Sequence, residues 1–293
     1  MNILKAVLMG IVQGATEFLP VSSSGHLGLI KAVFGLESGS ILFEVLLHFA
    51  TLIAIVAVFY KDVFRLILEF FGMCRDIFHN IASLGRSLSG GKDPDYVHII
   101  SSPYRKFVLL IIISTIPTGL IGVLMKNVVE FTSGNLLVTG ICLLCTGLVL
   151  ALSDFLPDGE KKLKETEPID AFAVGTAQGI ATLPGLSRSG VTIVAGILCG
   201  FDRKFAARYS FIMSIPAVLG ALVLELFDLG EESITAGDVG CYVLGMVIAA
   251  VIGYFALRFI MNIIANKFFR FFAFYCGGIG LISIIVYIVK KFV

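Results

Sequence analysis

Two short stretches of this chain have the residue types and spacing of reacting groups. Glu17 and His26 flank a serine cluster in TEFLPVSSSGH, residues 16–26, and Arg188 lies between two serines in PGLSRSGVT, residues 184–192. Both stretches interrupt hydrophobic runs at membrane depth. A charge there costs roughly 2.5–3.5 kcal/mol on insertion scales and by default marks function. Arg188 with the hydroxyls of Ser187, Ser189 and Thr192, and amides made accessible by Gly185 and Gly190, has the chemistry of an oxyanion site, most naturally for phosphate. Glu17, His26 and the Ser22–Ser24 cluster supply a carboxylate, an imidazole and hydroxyls within one short stretch. Gln13 stands at i−4 from Glu17 and shares its helix face, while Ser22, Ser24 and Gly25 complete the substrate-binding set. Taken singly, each has a plainer reading. An intramembrane Glu can be an ion site in a carrier, serines and glycines can pack helices, and a histidine can be structural. Their joint occurrence in two matched breaks favours a site.

The elements that must position these groups are membrane helices. The chain has 293 residues, is 57% hydrophobic and 15% charged, and has a mean hydropathy of +0.98. Soluble domains carry about 25% charged residues, so the composition predicts a polytopic membrane protein. The first twenty residues resemble a signal peptide but hold Gln13 and Glu17 and lack a small-residue cleavage site, which predicts a mature segment. A net charge of +1 and the absence of a basic tract give no reason to expect nucleic acid. Cys142 and Cys145 form a CxxC inside an apolar run with no completing pair or histidine, so packing is the expected role.

Along the chain, 6–19 and 26–36 are apolar pieces too short to span, since a spanning helix needs about 20 residues. Around the break at 20–25 they predict a re-entrant hairpin over 6–36. A span at 41–60 follows, then an amphipathic surface helix at 62–82 and a polar loop at 83–105. Further spans are expected at 106–125 and 134–154, with a charged loop at 155–168. A second hairpin is expected over 170–201, broken at 184–190, and spans at 206–227, 239–260 and 269–289 complete the chain. The two hairpins match. Gln13-Gly14 precedes Gly25 by the same interval as Gln178-Gly179 precedes Gly190, and each break holds a proline and an SxSG. The expected fold is therefore an all-α polytopic membrane protein of two inverted-topology repeats, 1–154 and 169–293. Each repeat is a re-entrant hairpin plus three transmembrane helices.

Orientation follows from charge. Placing 61–106, 155–169, 201–208 and 258–270 in the cytoplasm puts 16 of the 22 Lys and Arg there, as the positive-inside rule favours. The acidic loop 228–238 then falls outside, and the hairpins enter from opposite sides. Interrupted short segments at corresponding places in inverted halves point to a mid-membrane site. His48, in FEVLLHFAT, lies within a span, where it either lines that cavity or bonds a neighbouring helix.

TEFLPVSSSGH, PGLSRSGVT and FEVLLHFAT closely resemble the undecaprenyl-diphosphate phosphatase (bacitracin resistance) family over nearly the whole chain. The resemblance implies a multi-pass bacterial plasma-membrane enzyme that hydrolyses undecaprenyl diphosphate to undecaprenyl phosphate and inorganic phosphate. That reaction recycles the lipid carrier of peptidoglycan synthesis and gives bacitracin resistance. It further implies a site facing the extracytoplasmic side and a divalent cation, Mg or Ca. Carried over by position, the family's essential acid is Glu17, its serine Ser23, its histidine His26 and its phosphate-binding arginine Arg188, with Ser187 and Thr192 as supporting hydroxyls. Gln13 departs from the Glu found in many members, so a cation would be held by Glu17 with the substrate phosphates.

The expected reaction has Arg188 and loop amides binding diphosphate and Ser23 attacking the terminal phosphorus, with His26 or Glu17 as proton acceptor. Attack by His26 or by water is the rival route. A polyprenyl-phosphate flippase or ion-coupled anion transporter is the alternative, because inverted repeats with broken helices also serve carriers. Oligomeric state stays open, a homodimer included.

Overall fold

Proline and glycine punctuate the apolar runs. In the computed structural model, which describes residues 2–34, 41–89, 95–228, 236–264 and 269–292, they divide the chain into helices. These are α1 (Ile3–Phe18), α2 (Ser23–Phe34), α3 (Ile41–Val58), α4 (Tyr60–Leu88), α5 (Pro103–Thr132), α6 (Leu136–Ser153), α7 (Pro168–Ile180), α8 (Arg188–Leu198), α9 (Arg203–Asp228), α10 (Ala236–Ile263) and α11 (Phe269–Phe292). Among the described residues the only β pairing is an isolated bridge between Lys161 and Phe201. The protein is all-helical. Among the described residues five helices are long and apolar enough to cross a membrane (α5, α6, α9, α10, α11), and α3 with α4 makes a sixth candidate bent by 92°.

Helix starts follow local chemistry. Asn2, Ser102, Asn135 and Ser187 each accept a first-turn amide on their side chains, as N-caps do. Pro103 and Pro168 open α5 and α7, where a missing N–H does no harm.

Small residues set the helix packing. A Cβ on Gly10 would lie 2.6 Å from Gly245 O, and one on Gly14 2.6 Å from Ala249 O, so α1 lies backbone to backbone on α10. Gly175 of α7 approaches the Ser114 backbone of α5 in the same way, with Gly179 against the Ile121 side chain, and Gly140 and Gly147 of α6 approach the backbone at Gly280 and Ala273 of α11. Such contacts replace the hydrophobic drive that lipid removes. The Gly245, Ala249, Gly253 face therefore receives α1 within the same chain.

The bend after α3 turns α4 by 92° from the α3 axis. Its inner face carries Val63, Leu66, Met73 and Asp76, while Phe64, Phe71 and Phe78 are exposed. Arg105, at the start of α5, ties it down: Nε donates to Glu69 at 3.0 Å and Nη1 to Asp76 at 2.7 Å. Arg208 of α9 and Tyr104 of α5 converge on Asp62 at 2.6–2.8 Å. The helix runs about six residues further than the expected 62–82, and in that added stretch Ser83 faces inward to accept the Asp95 amide at 2.9 Å. Part of the expected loop 83–105 and most of the acidic loop 228–238 lie outside the described residues.

Candidate active site

The first break spans 19–22 rather than the expected 20–25, and the second 181–187 rather than 184–190, so each ends three residues earlier than the sequence predicts. Helix α2 begins at Ser23 and α8 at Arg188, so the serine–glycine stretches form first turns of helices. The reason is capping: Ser22 Oγ accepts the Gly25 amide at 3.2 Å, and Ser187 Oγ accepts the Gly190 amide at 3.1 Å. The Ser22–Ser24 and Ser187–Ser189 hydroxyl pairs are each 3.3 Å apart. In this shared register Ser23 and Arg188 occupy the same place, the first residue of a helix.

The breaks interlock. Gly185 N–H donates to Ser24 Oγ at 3.3 Å, and Ser189 Oγ donates to Leu19 O at 3.3 Å. Gly185 has φ +93°, and a Cβ there would lie 2.5 Å from Thr139 O, so both conformation and close approach require glycine. Helix α6 supports this break through Thr146, whose Oγ1 accepts the Ser187 amide at 3.1 Å. Helix α11 supports the other, with Cys276 Sγ 3.5 Å from Pro20 O. Ser22 carries φ +68°, a left-handed conformation that costs a non-glycine residue about 1–3 kcal/mol and persists where its surroundings hold it.

Glu17, in the last turn of α1, is where the first residues of α2 and α8 meet. Ser23 Oγ donates to Glu17 Oε2 at 2.5 Å, and the Arg188 guanidinium pairs with Oε1. The carboxylate is almost wholly buried, with 5% of its side chain exposed, and a buried charge is tolerable only when so partnered. Gln13 Nε2 donates to Glu17 Oε2 at 3.0 Å, confirming the shared face, and lies 3.0 Å from His48 Nδ1. His48 Nδ1 is itself 3.6 Å from Glu17 Oε2, so α3 contributes to the cluster. Gln13 Oε1 is buried without a partner.

His26 stands apart. Its Nδ1 is 2.7 Å from Ser22 O and its Nε2 2.8 Å from Tyr275 Oη. Both ring nitrogens are used, and among the described residues neither meets Ser23 or Glu17. Thr192 Oγ1 bonds Ser210 Oγ at 2.5 Å and donates to Arg188 O at 2.8 Å, so it braces α8 against α9. A pocket opens beside Glu17, Arg188 and Ser189, with Ser210 and Ser214 of α9 on its far wall.

Helix N-termini carry amides without intrahelical partners and the positive end of the dipole. Two of them converge here beside a guanidinium, which is a setting for a phosphate group. A sequence model of the family described as "Bacitracin resistance protein BacA" matches residues 6–282. The chain belongs to this family. It is 38% identical over 289 residues to a protein of Methanosphaera stadtmanae named undecaprenyl-diphosphatase, covering 99% of each chain. It is 40% identical over 283 residues to one of that name from Methanobrevibacter smithii, covering 96% of each. It is also 36% identical over 296 residues to one from Carboxydothermus hydrogenoformans, covering all of both.

In this BacA-family chain, sequence reasoning did not find Tyr275, Ser210 or Ser214. Ser210 and Ser214 had a usable signal, two serines four apart on one face of an apolar helix. Tyr275 had none, since its partner is 249 residues away.

Proposed function

We infer that this protein hydrolyses undecaprenyl diphosphate to undecaprenyl phosphate and inorganic phosphate, recycling a lipid carrier of cell-wall synthesis and thereby giving bacitracin resistance. The observation that carries the reading is Ser23 on Glu17 with Arg188 on the same carboxylate, at two converging helix N-termini, in a chain similar to named undecaprenyl-diphosphatases along its length. In the reaction Arg188 turns from Glu17 to the terminal phosphate, and Ser23 Oγ attacks its phosphorus as the proton passes to Glu17 Oε2. The P–O bond to the prenyl phosphate breaks. Glu17 gives the proton to that departing phosphate oxygen, a good leaving group that needs charge neutralisation more than acid. Water then attacks the phosphoserine as Glu17 takes its proton, and Ser23 Oγ leaves with that proton as inorganic phosphate is released. The same carboxylate serves both halves.

A divalent cation fits this donor set. Gln13 Oε1 is a buried acceptor without a partner beside Glu17, although the described residues contain no group of three or more His, Cys, Asp or Glu. Glu17 and Gln13 would hold it together with substrate phosphates, as suits Mg, and it would neutralise diphosphate charge.

The reading extends to placement. The α1–α2 and α7–α8 pairs are re-entrant hairpins of two inverted repeats, 1–154 and 169–293. Three correspondences support it: the matched SxSG caps, α1 on α10 against α7 on α5, and α6 and α11 each bracing one break. The positive-inside count sets 61–106 in the cytoplasm of a plasma-membrane protein, with α4 along the surface and the site facing outward.

Detergent-purified protein with no gradient, given a prenyl diphosphate, is expected to release inorganic phosphate and to lose most of that activity with chelator. No release with or without added Mg or Ca overturns the phosphatase reading in favour of a carrier. Release unaffected by chelator removes the cation.

A further inference from the structure

We propose that Tyr275 is a positioning residue of this site, fixing His26 as the neutral Nδ1–H tautomer so that His26 holds the turn that aims Ser23 at Glu17. The inference rests on the reading of Ser23 as nucleophile. It begins with Ser22 O, which can only accept a hydrogen bond, so His26 Nδ1 at 2.7 Å must carry the proton. In a neutral ring Nε2 then has only a lone pair, and the Tyr275 hydroxyl 2.8 Å away donates to it. The rings lie parallel within 2°, with centroids 5.5 Å apart, so Tyr275 fixes both the plane and the tautomer of the imidazole. His26 is buried, and among the described residues no carboxylate touches it, which disfavours an imidazolium.

The consequence reaches Ser23 through one residue. Ser22 is the non-glycine residue with positive φ among those described, and three contacts hold it there: Gly25 N–H on its Oγ, and the His26 ring and amide on its carbonyl. Ser23 follows directly, and its Oγ meets Glu17 at 2.5 Å. Without the ring contact the strained turn loses a restraint and Ser23 samples other orientations. Helix α11 is placed for this role, since the adjacent Cys276 already meets Pro20 in the same break. His26 on this account touches no reacting atom. It shapes the backbone beneath the one that does.

Tyr275→Phe keeps the stacked ring and removes the hydroxyl. It is expected to lower kcat about tenfold while leaving KM for prenyl diphosphate unchanged, as loss of an orienting contact does. Nitrogen-15 NMR of histidine-labelled protein, with His26 assigned by difference among the four histidines, should show Nδ1–H in the wild type and a tautomer mixture in the variant. A companion pair covers failure of that variant to fold. His26→Asn can still donate an amide hydrogen to Ser22 O and should retain more activity than His26→Ala. An unmoved His26 spectrum in Tyr275→Phe overturns the proposal, as does His26→Asn being no better than His26→Ala. A wild type that releases no phosphate while its His26 still reads as Nδ1–H overturns the phosphatase reading instead.

Discussion

Ser23 and Glu17 are joined by a 2.5 Å hydrogen bond across the break between α1 and α2. The same carboxylate is held on its other oxygen by Arg188, 171 residues further along the chain. In the proposed mechanism the nucleophile is thus bonded to its base before substrate arrives, and the phosphate-binding guanidinium rests on that base. Substrate must draw Arg188 away, and doing so frees Glu17 to accept a proton.

Glu17→Gln tests the base directly. The amide keeps size and a hydrogen-bond acceptor for Ser23 but cannot take a proton. Phosphate release should fall by at least about a hundredfold, the lower range for loss of a positioned base. Arg188 loses its partner and the cation a carboxylate at the same time, so the fall is to be read in kcat at saturating prenyl diphosphate and cation. Steady-state kinetics in detergent check it. Near-normal kcat would move the base to another residue.

Arg188→Lys separates charge from geometry. Lysine brings one compact ammonium where the guanidinium brings a planar fork, and phosphoryl oxygens gain from the fork most when charge spreads over them. A loss of about a hundredfold in kcat is expected, as for an oxyanion donor, with a smaller change in KM. Unchanged turnover in the lysine variant would take Arg188 out of the phosphate role.

Much of this site is legible in the sequence because the groups come in local patterns. Gln13 and Glu17 share a face by helical periodicity, and they do meet. The matched intervals to Gly25 and Gly190 bring Glu17 and Arg188 together across the whole chain. The first break is two residues shorter than the apolar pattern predicts and the second lies three residues earlier, because serines and glycines weaken a helix interior yet favour its first turn. Ser23 and Arg188 therefore sit on helices, which aim them more firmly than loops would. The partner of His26 was not legible: Tyr275 is one of several aromatics in FRFFAFY, and only the packing of α11 decides which one reaches the break.

Asp76 provides a pH test on α4, the helix proposed to lie along the membrane surface. Its carboxyl is held below the usual carboxylate range, chiefly by the hydrogen bond from Arg105. A depressed folded value means the contact contributes fully above the ordinary carboxylate pKa and is lost as pH falls through the folded value. Hydrogen exchange of α4 amides, corrected for intrinsic rates, should therefore stay flat from about pH 8 to pH 5 and rise only below about pH 4. In Asp76→Asn, α4 should exchange faster than wild type above about pH 5, the two should converge in acid, and the acid step should be smaller. An acid step of equal size in that variant would assign the release of α4 to another group.

The backbone contact between α7 and α5 makes the last prediction, and it concerns the frame that carries Arg188. A Cβ on Gly175 would lie 2.1 Å from Ser114 O, against main chain that no rotamer change can move. Gly119, on α5 as well, has nothing within 4 Å of its would-be Cβ. Gly175→Ala must push the helices apart, a strain of about 1–3 kcal/mol where packing is tight. That movement also disturbs Ser114, which bonds Ala171 O and Tyr209 at 2.7–2.8 Å. Because α7 leads into the break before α8, the shift is carried to Arg188, and activity should fall along with thermal stability in detergent. Gly119→Ala should leave both near wild type. Equal melting temperatures for the two variants would mean that α7 is not held by this contact, and that Arg188 takes its position from α6 and α9 alone.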